Sequence, residues 1–191
     1  MQRSSRDSGT TDRVGSPDQR SPTIHAVPRE STVTDTSQAA GVLLKLYELR
    51  TEPTLRDARA WFTYEFHPES AADVLRAWLG PGYASAPYRM VTSYWDMAAS
   101  LVMRGAIPAE MFNEANTEHF AVFAKLRPYL SEVREATKYP DYLTHLEQVV
   151  ALHPHPDERV AIFARYLERQ RVLAAQGRQQ RPAATESLGA S

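Results

Sequence analysis

The 191-residue chain carries 22 basic and 23 acidic side chains and no cysteine. Near-neutrality removes the electrostatic footprint that nucleic acid or an anionic membrane would need in a partner. Lack of cysteine excludes disulfides, thiolate metal sites, iron–sulfur clusters and a cysteine nucleophile, and the length suits one domain with enough mass to bury a core.

Lys45, Lys125 and Lys138 are the only lysines. That preference for arginine fits the codon usage of a GC-rich bacterial genome better than any chemistry. No apolar run is long enough to span a bilayer. The N-terminus has no apolar signal core, and Asp7, Asp12 and Asp18 argue against a transit peptide, so a cytoplasmic protein is expected.

Residues 1–36 hold Ser, Thr, Pro, Gly, Arg and Asp with few apolar side chains, the composition of a disordered arm. Its arginines (Arg3, Arg6, Arg13, Arg20, Arg29) are matched by Asp7, Asp12, Asp18, Glu30 and Asp35. A plain solvated extension is therefore favoured over a tail that grips an anionic partner. Residues 177–191 read as a second disordered tail.

Between them, residues 37–176 read as helix after helix. Thr36 or Ser37 can cap the first, whose Val42, Leu43, Leu46 and Tyr47 recur at helical spacing up to Thr51. Pro53 opens the second, with Leu55, Ala58, Phe62 and Phe66 on one side, and His67-Pro68 stops it. Ser70 and Asp73 form a capping box for a short third helix carrying Val74, Leu75 and Trp78, closed by Gly80-Pro81-Gly82.

The most apolar stretch follows. Pro87 stands at its entry and Gly105 at its exit, where a left-handed cap is wanted. Between them Val91, Tyr94, Trp95, Ala98, Leu101 and Val102 share a face that Met90 and Met97 widen. A narrow stripe of Arg89, Ser93, Asp96 and Ser100 stays polar. A helix this apolar belongs at the centre of a bundle.

Pro108 begins a long periodic tract in which Phe112, Ala115, His119, Val122, Phe123, Leu126, Leu130 and Val133 share a face. Pro128 should kink it, and Asn116-Thr117 offers an alternative break. Pro140 restarts a helix through Leu146 and Val149. His153-Pro154-His155-Pro156 interrupts it, and Asp157 can cap a last helix that buries Val160, Phe163, Ala164 and Leu167. No run of alternating strand residues occurs. The expected fold is a single all-α, irregular bundle of about six or seven helices.

His119 and Asp96 are the sharpest candidates for chemistry. His119 lies on an apolar stripe and could serve as a base or metal ligand. A di-iron bundle needs Glu-x-x-His pairs, and none is present, so a structural histidine bonded to a backbone carbonyl is favoured. Asp96 shares its stripe with Arg89 and could face a polar pocket. It could equally pair with Arg50, Arg56 or Arg59 to set packing register. His153 and His155 flank a proline in a loop and read as solvated. No Gly-rich phosphate loop, nucleophile elbow or His-Glu-x-x-His motif occurs.

Leu44–Arg50 with Glu52-Pro53 and Leu55–Arg59, together with Arg89–Val102 and Gly105–Ile107, resemble a family of uncharacterised small helical bacterial (hypothetical) proteins. The likeness covers roughly residues 41–177. It implies a small helical domain and carries over no catalytic residue.

The favoured function is a non-catalytic interaction or regulatory module that binds a protein partner or itself, because interfaces favour Arg, Tyr, Trp and Met. The alternative is an enzyme or small-ligand binder with a pocket around Arg89, Tyr94, Asp96 and His119. Neither metal nor cofactor is expected, and neither nucleic acid nor membrane as partner.

Overall fold

A computed structural model of the protein describes residues 30–179, with side chains over residues 35–176. The arm and tail expected over residues 1–36 and 177–191 lie mostly outside that range. The described residues are all-α and contain no strand. Their order is α1 (Glu30–Thr51), α2 (Pro53–Tyr64), α3 (Ala71–Leu79), α4 (Ser85–Met103), α5 (Ala109–Ala115), α6 (Glu118–Leu126), a 3-10 turn (Arg127–Tyr129), α7 (Leu130–Thr137), α8 (Thr144–Ala151) and α9 (Pro156–Gln179).

This is more helices than periodicity suggests, for a local reason. The tract after Pro108 breaks at both expected places. Asn116 turns extended at the end of α5, and Pro128 tightens the chain into the 3-10 turn, since it has no N–H to give the α ladder. The apolar stripe nonetheless stays continuous: Phe112, His119, Val122, Phe123, Leu126, Leu130 and Val133 are all buried. Ala115 is the exception and is exposed.

Several boundaries follow from local chemistry. Pro53 occupies the first turn of α2. Ser70 caps α3, its hydroxyl accepting from the Asp73 N–H at 3.2 Å while the Asp73 carboxylate accepts from the Glu69 N–H at 3.1 Å. At the end of α4, Gly105 adopts φ +77. Its N–H donates to Val102 O and the Ala106 N–H to Leu101 O, both at 2.9 Å, the bonds of a Schellman ending.

Other expectations are corrected. α1 already runs from Glu30, so Thr36 and Ser37 lie inside it and not at its start. Pro87 is the third residue of α4, and Asp157 the second of α9 behind Pro156. Pro140 opens a turn, and α8 begins only at Thr144 after Leu143 takes a left-handed conformation at φ 55. Met97, Tyr47 and Ala164 are exposed, leaving Leu46 as the main anchor of the C-terminal half of α1.

α4 is the central helix. It packs on α2, α8 and α3, while α6 packs on α9 and α8, and α3 on α7. Trp95, Tyr88, Val91, Ala98 and Ala99 of α4 are fully buried. Small Ala98 and Ala99 let neighbouring helices approach closely, and the aromatic side chains fill the space beside them. Tyr88 sits edge-on to Phe66 at 5.4 Å. Its hydroxyl meets that of Tyr142 at 2.6 Å, satisfying both phenols where water is excluded. Burial raises both phenols, Tyr142 to about 12.

Lys125 ties α6 to α2. Its ammonium donates to the carbonyls of Phe62, Thr63 and Phe66, around the C-terminus of α2. Three donors meet three acceptors at the negative end of a helix dipole. Burial pushes its pKa down to about 7, and the three carbonyls work against that shift. No helix among the described residues is long and apolar enough to cross a membrane.

Candidate functional site

The polar stripe of α4 leads to a cavity of about 220 Å³ lined by Arg89, Thr92, Ser93, Asp96, Trp78, Tyr139, Tyr142 and Leu143. Arg89 and Asp96 both line it. Tyr94 and His119 are not among its lining residues, so the four candidates of the sequence do not share this cavity.

Asp96 is occupied with structure. Its Oδ1 accepts from the Leu146 N–H at 3.0 Å, and its Oδ2 lies 3.3 Å from His145 Nδ1. Leu146 is the third residue of α8, so its amide is one of the donors that a helix start leaves without an intrahelical acceptor. A side chain at the N-cap position normally supplies that acceptor. Leu143 holds that position here and has no such group. Asp96 therefore caps α8 from a neighbouring helix, and none of Arg50, Arg56 or Arg59 is its partner. Arg89 reaches only the Trp78 carbonyl, at 3.4 Å.

Tyr94 points to the other side of α4 and donates to Leu46 O at 2.7 Å. Burial raises its phenol to about 12, against the opposing pull of Arg50 and Arg59. Beside it Arg59 grips Glu118 through Nε and Nη2, with Nε 2.8 Å from Oε1, and Arg59 Nη1 donates to Arg50 O at 3.1 Å. The planar guanidinium suits such a two-pronged hold on a carboxylate. The pair forms one wall of a cavity of about 480 Å³ that Arg56, Tyr64, Thr117 and Tyr166 also line. In sequence Arg59 is only a possible partner for Asp96, and its pairing with Glu118 is not legible because the two are 59 positions apart and each alone looks like an ordinary helix-surface charge.

His119 is fully buried among Trp95, Phe112 and Phe120, the Phe120 ring centroid 4.1 Å from its own. The carbonyl partner expected for it is absent. Neither ring nitrogen has a hydrogen-bond partner among the described residues. Burial lowers its pKa to about 3, with Arg159 and His153 adding to the effect. The imidazole is thus neutral at pH 7. Among the described residues no group of three or more His, Asp or Glu side chains could hold a metal ion.

These features define an all-α domain with one aromatic core, polar ties between helices, and shallow cavities where helix ends meet. Residues 35–152 match the family described as a domain of unknown function (DUF4760), and the chain belongs to that family. The matched residues run from α1 through α8, and α9 follows them. No curated protein and no solved structure matches the chain.

Proposed function

We propose that the protein is a non-catalytic interaction module that associates with a second copy of itself through α9. The carrying observation is the outward face of that helix. Ile162, Tyr166, Val172 and Leu173 are exposed, and no described side chain of α9 beyond Leu167 is buried. Apolar residues at helical spacing that no described residue covers are what a helix–helix contact uses.

Charge supports a two-fold, antiparallel pairing. α9 begins with Asp157 and Glu158 and continues through Arg165, Arg169 and Arg171. Antiparallel copies place Ile162 of one helix against Tyr166 of the other and Glu158 near Arg169, the self-complementary arrangement a two-fold axis requires. The near-neutral charge of the whole chain favours this over nucleic acid, and the same reading sets the module in the cytoplasm.

Sedimentation velocity over a concentration series tests the proposal. The wild-type chain should move from monomer to dimer, and Ile162→Arg should remain monomeric with an unchanged far-UV circular dichroism spectrum. A wild-type monomer at every concentration, or a dimer that tolerates Ile162→Arg, overturns it.

A further inference from the structure

α5 and the α8–α9 connection flank a half-open cavity of about 560 Å³ whose wall includes Glu110, Asn113, Glu114, Thr117, His153 and Arg159. Glu110 and Glu114 are one turn apart on α5 and so face the same way. Arg159 reaches in from the first turns of α9, just beyond the family match. Its guanidinium stacks 5.6 Å from the Phe120 ring centroid and 5.5 Å from that of Phe163. Those two rings lie nearly parallel, 9° apart. The guanidinium is held in place on an apolar support.

The polar groups at this cavity are incomplete. Arg159 Nε and Asn113 Oδ1 are buried without a hydrogen-bond partner among the described residues. Buried polar atoms are almost always satisfied, so these two offer a donor and an acceptor to a ligand that enters the cavity. Glu110, Glu114 and Arg159 form no ion pair among the described residues, although they line one space.

The separation of the two charge signs, rather than their sum, selects the occupant. Two carboxylates against one guanidinium leave the lining net negative. A simple anion drawn to Arg159 meets Glu110 and Glu114, and a simple amine drawn to the acids meets Arg159. A molecule bearing both charges suits both sides. We propose that this cavity binds a small zwitterionic amino acid, its carboxylate on Arg159 and its ammonium on Glu110 and Glu114. The volume falls within the ordinary range for small-molecule sites. The site stands independently of self-association through α9.

Isothermal titration of the full chain with L-alanine, L-serine and L-glutamate at millimolar concentration tests this, with acetate and ethylamine as single-charge controls. At least one amino acid should saturate, and neither control should. Arg159→Met should weaken binding by tenfold or more. Glu114→Gln, at an exposed position that leaves the core untouched, should weaken it in the same direction and so decides the matter if Arg159→Met fails to fold. Absence of saturation by all three amino acids overturns the proposal. So does acetate or ethylamine binding as tightly, or an affinity that survives Glu114→Gln.

Discussion

Replacing Asp96 by Ala removes the cap of α8 without touching α8 itself. Two contributions to the cap are lost, besides the longer 3.3 Å contact with His145. The Leu146 N–H loses its acceptor at 3.0 Å, which for an N-cap is worth about 1 kcal/mol. The carboxylate charge also leaves the positive end of α8, worth roughly 0.5 kcal/mol and somewhat more where the group is partly buried. The Asp96 side chain is 24% exposed, so screening trims the second term without removing it. Together the loss is about 1.5–2 kcal/mol, which lowers the melting temperature by roughly 4–7 °C for a domain of this size. Asp96→Asn keeps an acceptor in place and gives up only the charge, so it should cost about 0.5 kcal/mol. Urea denaturation followed by circular dichroism measures both, and amide exchange at Leu146 and Glu147 localises the effect to α8. The cap assignment is wrong if Asp96→Ala costs less than about 0.5 kcal/mol or if Asn costs as much as Ala.

Two further perturbations probe the backbone and the core. Lys138 is exposed and left-handed at φ 55 where α7 ends, so Lys138→Gly should raise stability by about 1 kcal/mol by relieving the Cβ clash; a destabilised variant in urea melts would refute the strain argument. His119 titrates at about 3 when folded, against an ordinary value of 6.5. Above pH 6.5 the residue is neutral in both states and contributes no pH dependence. As pH falls from 6.5 towards 3 the unfolded chain takes up a proton that the folded chain refuses, so stability drops, by at most about 1.4 kcal/mol per pH unit. His119→Leu should flatten that part of the stability curve relative to wild type, and parallel curves would show that the acid sensitivity arises elsewhere.

The site residues differ in how they could be found. Asp96 stood out because an acid in an apolar helix needs a reason, yet the reason sits 50 residues away in the chain. His119 stood out for the same cause, and its burial against three aromatic rings accounts for its place on the stripe. Lys125 lies among the apolar residues of α6, but nothing in that segment says that the carbonyls of α2 receive it. Arg159 looked like any charged residue of a terminal helix until Phe120 and Phe163 were placed beneath it.

The amino-acid sequence by itself determined the all-α class, the start of α2 at Pro53, the Ser70 cap and the Schellman ending at Gly105. It also determined which stripe of the tract after Pro108 turns inward. Each of these depends on groups within a few residues of one another, or on a period that the chain carries in its own order. Only the tertiary structure decided that Asp96 caps α8, that Arg59 holds Glu118, that Lys125 closes α2, and that Arg159 lines one cavity with Glu110 and Glu114. Those pairings join helices remote in sequence. Helical periodicity gives each helix a face but not a neighbour, and the neighbour sets the chemistry.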